Sequence, residues 1–359
     1  MTDVRPGAPL VGWASPPTGV AVIGCGYWGL NHVRVFEQLV DSNVVVACDR
    51  DAAQVARVTQ AFPHLRVSTD VDEALATPGV EAAVIATNAA THADLATRAL
   101  DAGLHVLVEK PLTADSVAAV DLIDLAEKRG RVLLVGHTFL YNAGVRKVKE
   151  YVDRDAVYYM YARRTNLGPI RRDVNAVWDL APHDVSIFNY LLDDTPEWVS
   201  AVGVGVLDKA REDVAFISIG YGSGVVGHIH VSWADPHKVR EVIVVSSERR
   251  IVFNDVDPIE RVRVYDKGVK FVPIEAEVGA FGEHRLLLRD GDITSPAIRA
   301  SEPLRNMCGH FLHCVRRGES PVTSGSDGLA VICVLEAIER SMAAGGARTE
   351  VGRMERVLR

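Results

Sequence analysis

The sequence is short of lysine, of cysteine pairs and of long apolar runs, and each shortage excludes something. Only 8 of its 39 basic residues are lysine, and Lys and Arg form no block. Against 47 acidic residues this leaves a formal net charge of −8. Such a chain lacks the basic footprint of a nucleic-acid binder, although a few local arginines can still hold a small anion. The 5 cysteines (Cys25, Cys48, Cys308, Cys314, Cys333) are odd in number and contain no C-x-x-C pair. They read as reduced thiols of a cytoplasmic protein and not as a disulfide framework. No apolar run approaches the roughly 18 residues of a membrane span. Residues 1–17 hold Arg5, Pro6, Pro9, Pro16 and Pro17 but no apolar segment of signal-peptide type, and are expected to form a disordered leader.

What is present fits an ordinary globular chain. Hydrophobic residues are 48% and charged residues 24% of the 359. At about 150 residues per domain the length suggests two domains. From Val20 onward, short β-branched runs alternate with helical stretches. Val20–Ile23, Val44–Cys48, Ala82–Ala86, Val106–Val108 and Val132–Val135 read as strands, and residues 31–40, 92–102 and 115–128 as helices. This βαβα order predicts a parallel sheet covered on both faces, over residues 18–140. From Val157 the strand candidates come at short intervals, punctuated by turns such as Gly222-Ser223-Gly224. That pattern predicts a mainly antiparallel sheet. Helices are expected there at Pro182–Leu192, 303–317 and 326–342, giving an α+β domain over 141–345 and a tail over 346–359. The fold class is therefore an N-terminal α/β Rossmann domain followed by an α+β domain with a large sheet.

Gly24-Cys25-Gly26-Tyr27-Trp28-Gly29 is a G-x-G-x-x-G segment between a predicted strand and a predicted helix. In that context the first glycine makes the turn, the second admits pyrophosphate, and the third lets helix pack on strand. The helix N-terminus then offers N–H groups to the phosphates. Asp49 lies 20 residues after Gly29, at the end of the next strand. A carboxylate there accepts bonds from ribose hydroxyls and repels a 2′-phosphate, favouring NAD over NADP. The adjacent Arg50 leaves room for the opposite preference. A glycine turn beside an ordinary solvated Asp-Arg-Asp loop is the plainer alternative.

Glu109-Lys110-Pro111 follows the strand ending at Val108. In a doubly wound sheet that strand end faces the ligand crevice, where a lysine can hydrogen-bond a substrate oxygen. Asp179-Leu180-Ala181-Pro182-His183-Asp184 pairs an acid with a histidine four residues on. With Pro182 taken as a first helical position, His183 falls in the first turn, where the helix dipole favours neutral imidazole. A helix-start aspartate beside a structural histidine is the plainer reading of the same residues.

These segments carry a resemblance. Thr87-Asn88-Ala89-Ala90-Thr91-His92, then Ala99–Val106, then Glu109-Lys110-Pro111-Leu112, is similar to the Gfo/Idh/MocA oxidoreductases. The likeness runs on through Gly136–Asn142, Asp179–Asp184 and Trp233–Arg240, and covers most of residues 18–342. Thr87-Asn88 departs from the family's common Thr-Pro. The resemblance implies a nicotinamide cofactor held by Gly24, Gly26, Tyr27, Trp28, Gly29, Asp49, Arg50, Thr87, Asn88, His92, Glu109 and Lys110. It implies catalysis by Lys110, Asp179 and His183, with Tyr141 also facing substrate.

The stretch Arg163–Pro169 followed by Asp173–Leu180 looks like a subgroup acting on nucleotide sugars. It suggests Arg164 for phosphate, Asn166 and Asn175 for sugar hydroxyls and Trp178 for ring packing. Alternation along the strand would expose only one of Arg163 and Arg164. The expected activity is NAD-dependent oxidation or reduction of a sugar alcohol, first at C3 of a nucleotide sugar and next of an inositol or other polyol. The arginine bias fits an antibiotic amino-sugar setting. A non-turnover NAD(H)-binding regulator is the alternative of another class. A homodimer or homotetramer through the second sheet is expected. No metal site is read: His228 and His230 suit a sheet face, and Cys308, His310, His313 and Cys314 cannot all point one way from a helix.

Overall fold

The computed structural model describes residues 16–171, 173–273 and 284–352. Nearly all of the expected leader, and the tail beyond 352, lie outside the described residues. The chain divides into two compact units. The first holds the described residues up to 114, with 118–136 and 304–326.

The first unit runs β1 (Thr18–Ile23), α1 (Tyr27–Gln38), β2 (Ser42–Cys48), α2 (Ala52–Ala61), β3 (Arg66–Ser68), α3 (Val71–Leu75), β4 (Ala82–Ile85), α4 (His92–Asp101), β5 (His105–Val108), α5 (Ser116–Arg129) and β6 (Leu133–Val135). The strands form one parallel sheet in the order β3-β2-β1-β4-β5-β6. Every residue of β1 and β4 is buried, as strands covered on both faces must be. The order reverses between β1 and β4, which both start at the centre and wind outward. Loops after these two strands therefore diverge and leave a crevice at their carboxyl ends.

The second unit contains α6 (Ala143–Val152), β7 (Val157–Leu167), α7 (Ala176–Leu192), β8 (Pro196–Val204), β9 (Val214–Tyr221), β10 (Val226–Ser232), β11 (Ala234–Ser246), β12 (Arg250–Asn254), β13 (Val262–Tyr265), β14 (Gly268–Pro273), β15 (His284–Arg289) and β16 (Ile293–Thr294). Then come α8 (Pro303–Arg317), α9 (Gly325–Ala343) and β17 (Thr349–Glu350). Nine strands form one sheet in the order β16-β13-β12-β11-β7-β10-β9-β8-β17. Only the β7–β10 pair in it is parallel. Helix α7 packs on β7, β9 and β10. Strands β14 and β15 form a separate hairpin.

Three expectations change. Helix α7 starts at Ala176 and not at Pro182, so Pro182 and His183 lie in its interior. Its cap is Asn175, whose side chain accepts the Trp178 N–H at 3.1 Å. The segment 304–326, and most of α8 with it, belongs to the first unit and not to the second. Arg316 fixes it there, donating to the Asp41 carboxylate at 2.8 Å and to the Asp41 carbonyl at 2.7 Å. Thr349–Glu350, expected as tail, closes the nine-stranded sheet beside β8. Among the described residues no helix is long and apolar enough to cross a membrane.

Candidate active site

The glycine turn sits at the carboxyl end of β1. Gly24 has φ +91°, and a Cβ there would meet Ala86 and Thr87 at the end of β4, 2.7–2.8 Å away. A Cβ on Gly29 would stand 1.7 Å from the Gly24 carbonyl, so only glycine lets α1 start this close to the turn. Gly26 differs: nothing lies within 4 Å of its Cβ position, and it caps α1 without a side-chain hydrogen bond. The turn is thus tight on the protein side and open on the other, over the first N–H groups of a helix. That is a cradle for pyrophosphate.

Asp49 closes the far side of the turn. Its Oδ2 accepts the Cys25 N–H at 2.7 Å and its Oδ1 the Asp51 N–H at 2.9 Å. It is partly exposed and keeps lone pairs for a ribose. Cys25 is buried, and burial beside Asp49 pushes its thiol up to about 12, so it is a spacer and not a nucleophile. Tyr27 and Trp28 are 76% and 46% exposed and meet edge to face at 5.3 Å. Arg50 and Asn88 are exposed and Thr87 is half-buried, its hydroxyl 2.8 Å from that of Thr91.

Two residues expected at the cofactor are instead turned inward. His92 is buried, with Nδ1 2.7 Å from the Pro111 carbonyl and Nε2 3.2 Å from that of Thr87. It braces the loops after β4 and β5 against each other. Glu109 is also buried. Its Oε1 lies 2.8 Å from His32 Nε2, and its Oε2 accepts the Lys110 N–H at 3.2 Å. Burial raises this carboxyl, but the His32 hydrogen bond and the Lys110 charge outweigh it and hold the group below its usual range. His32 Nδ1 in turn lies 3.6 Å from Cys308 Sγ. Helix α1, the Lys110 loop and α8 are therefore pinned through one buried imidazole. Lys110 itself is half-buried on that loop, before a cis Pro111.

In the second unit Asp179 and His183 are one turn apart on α7, on the same face, with Cβ atoms about 5–6 Å apart in such spacing. The Asp179 carboxylate receives the Trp233 indole N–H on Oδ2 at 3.2 Å and Arg171 Nη1 on Oδ1 at 3.4 Å. The Phe139 ring and the His183 imidazole meet in a T-shaped contact, with centroids 5.0 Å apart. Because His183 is the eighth residue of α7, the helix-terminus argument for its neutral form does not hold.

Other expected substrate contacts are committed elsewhere. Arg164 is buried, gives a two-pronged ion pair to Asp184 at 2.9 and 2.8 Å, and lies 4.4 Å over the Phe139 ring. Arg163 is exposed, but strand alternation aims it away from α7. Neither arginine reads a phosphate beside His183. Asn175 caps α7 and donates to Glu212 at 3.0 Å, and Trp178 is buried with its indole N–H on Glu339 at 2.6 Å. Asn166 bonds the Gly168 carbonyl, and Tyr141 is buried. Phe139 and Trp233 fall in stretches that carry the resemblance but have no role assigned there, and Arg171 falls in none. Their signal is tertiary: each reaches Asp179 or His183 from a different loop.

A glycine turn open over a helix N-terminus, with an acid poised beside it, is the arrangement that dinucleotide-dependent oxidoreductases use. Residues 18–137 match the oxidoreductase family with an NAD-binding Rossmann fold, and residues 146–252 match the GFO/IDH/MocA C-terminal domain. The chain belongs to the Gfo/Idh/MocA family and is an NAD-dependent oxidoreductase. It is 25% identical over 345 residues to a D-apiose dehydrogenase of Paraburkholderia graminis, covering 88% of this chain and 85% of that one. It is 29% identical over 254 residues to a UDP-N-acetylglucosamine 3-dehydrogenase of Acidithiobacillus ferrooxidans, covering 70% and 78%. Among solved structures, GenD2 from gentamicin A biosynthesis, in complex with NAD, superposes with a TM-score of 0.79 at 27% identity, covering 96% of this chain and 99% of that one.

Proposed function

We propose that the chain transfers hydride between NAD and a secondary alcohol or ketone of a sugar, with a nucleotide sugar oxidised at C3 as the first candidate. The observation that carries the reading is the Asp179–His183 pair on one face of α7, with the carboxylate held at both oxygens. His183 takes the hydroxyl proton, and Asp179 stabilises the imidazolium that results. Lys110 donates to the oxygen on which charge develops. Asp49 accepts from the adenosine ribose. NAD, when bound, supplies the hydride acceptor, and these residues orient and titrate around it.

The likeness to a UDP-N-acetylglucosamine 3-dehydrogenase supports the nucleotide-sugar choice, and GenD2 supports an amino-sugar antibiotic setting. A polyol is the second reading. The burial of Arg164 favours it, because that removes an expected phosphate ligand, and an inositol 2-dehydrogenase of Rhizobium meliloti is 25% identical over 90% of this chain. NADH formation with UDP-N-acetylglucosamine, inositol and D-apiose tests the choice. Faster turnover of the nucleotide sugar by tenfold or more supports the first reading, and the reverse order assigns a polyol. No NADH from any of them rejects both. NADP in the same assay is expected to serve less well, since Asp49 repels its 2′-phosphate.

Among the described residues, the face of the nine-stranded sheet opposite α7 carries a cluster of exposed apolar side chains. Tyr159, Val202, Phe216 and Val226 on it are 41–52% exposed, and His230 stacks on Phe216 at 4.4 Å. A patch of this kind favours covering by a second copy. Light scattering is expected to give a multiple of the 39.0 kDa chain mass; a 39.0 kDa particle alone would reject the interface.

A further inference from the structure

We propose that Trp233 and Arg171 are positioning residues, which clamp the Asp179 carboxylate in the orientation His183 requires. The inference rests on the catalytic reading of Asp179 and His183 and extends it to how that pair is held.

Trp233 is buried between β10 and β11, and its backbone is fixed on both sides. Its N–H donates to the Asp213 carbonyl at 2.8 Å, and its carbonyl accepts the Gly168 N–H at 3.3 Å. A buried indole with a fixed backbone has one direction in which to donate, and it donates to Asp179 Oδ2 at 3.2 Å. Arg171 approaches the other oxygen. Its Nε and Nη2 grip the two oxygens of Asp173 at 3.0 and 2.5 Å, which leaves Nη1 aimed at Asp179 Oδ1, 3.4 Å away. Hydrogen bonding in this pair holds Arg171 above its usual pKa and Asp173 below the usual carboxylate range, as in a committed ion pair. Arg211 Nη1 donates to the Arg171 carbonyl at 3.3 Å and anchors the segment.

The 3.4 Å contact is long for a hydrogen bond, so Arg171 acts there mainly through charge, whereas Trp233 acts through direction. Together they restrict both the tilt and the rotation of a carboxylate that must meet an imidazole one helical turn away. A carboxylate without them loses orientation, the property that a histidine-supporting acid supplies in general base catalysis. Among the groups near His183 are the Phe139 ring and, behind it, the Arg164–Asp184 pair.

The test is a cycle of Trp233→Phe and Arg171→Met, each alone, and of Trp233→Phe with Asp179→Asn. Trp233→Phe keeps the ring and removes the donor; Arg171→Met keeps the stem and removes the charge. Each removed donor takes positive or partial positive charge away from the Asp179–His183 pair and so favours the His183 imidazolium. The His183 titration, followed by NMR in protein without substrate and assigned against His183→Gln, is expected to move up by about 0.5–1 pH unit in either variant. In the Asp179→Asn background Trp233→Phe is expected to leave it unmoved. With NAD and the sugar turned over fastest, kcat is expected to fall about five- to tenfold in either single variant, while the Kd for NAD stays constant and Arg171→Lys recovers part of the loss. An unmoved titration in both single variants, or a Trp233→Phe shift that persists in Asp179→Asn, overturns the clamp and leaves the catalytic pair standing. Wild-type kcat in Asp179→Asn overturns the catalytic reading itself, and the clamp with it.

Discussion

Replacing His183 by alanine is expected to lower kcat by a hundredfold or more with NAD binding retained, and replacing Lys110 by alanine to lower kcat as far. The size follows from the task. A positioned base that takes a proton in the transition state contributes roughly 10²–10⁴-fold, and removing it takes that factor away. The retention follows from geometry. The pyrophosphate cradle is built from Gly24, Gly26 and the first turn of α1, and its fourth side is Asp49; His183 contributes to none of these. Stability is expected to change little, since His183 is only half-buried. Its carbonyl, which accepts the Ser186 hydroxyl at 2.9 Å, also survives the substitution. Steady-state kcat and the Kd for NAD by protein fluorescence separate the two effects. Near-normal kcat in both variants removes Lys110 and His183 from the chemistry.

The dinucleotide-binding turn is readable because its determinants are local. A strand, three glycines and a helix are contiguous, and Asp49 ends the next strand, so one window of sequence holds both the steric demand at Gly24 and the acid that closes the turn. The start of α7 departs from the expected Pro182 for a local reason too. Proline is most at home at a first helical position, and at Pro182 it costs the helix an interior hydrogen bond, about 3 kcal/mol. The burial of Ala176, Val177, Trp178 and Leu180 ahead of it offsets that cost, and the Asn175 cap was the signal that outranked it.

What sequence could not give was the direction of side chains whose partners lie far along the chain. Glu109 turns inward because His32, 77 residues earlier, waits under it, and Arg164 because Asp184 lies across from β7. The return of residues 304–326 to the first unit is likewise long-range: the Val135 N–H donates to the Thr323 carbonyl at 2.8 Å, beside the Leu134–Ser324 bridge.

Arg164→Ala is expected to destabilise the second unit by about 3–5 kcal/mol, because it strands Asp184 as an unpaired charge in a buried site. Arg164 and Asp184 are 3% and 1% exposed as side chains, and both guanidinium donors to the carboxylate are well within hydrogen-bond range. For a unit of this size that loss corresponds to a fall in Tm of roughly 10 °C. The pair itself is a different matter. Its attraction only offsets the desolvation of two charges, so replacing both partners by apolar residues, Arg164→Met with Asp184→Leu, is expected to restore most of the stability. The double variant does not restore the cation over Phe139, whose ring packs against His183, so its kcat is expected to stay below wild type while its Tm recovers. Thermal unfolding and kcat on the three proteins read the two consequences independently. An Arg164→Ala protein melting within about 2 °C of wild type would mean that Asp184 finds water or another donor. Arg164 would then be available to a ligand after all.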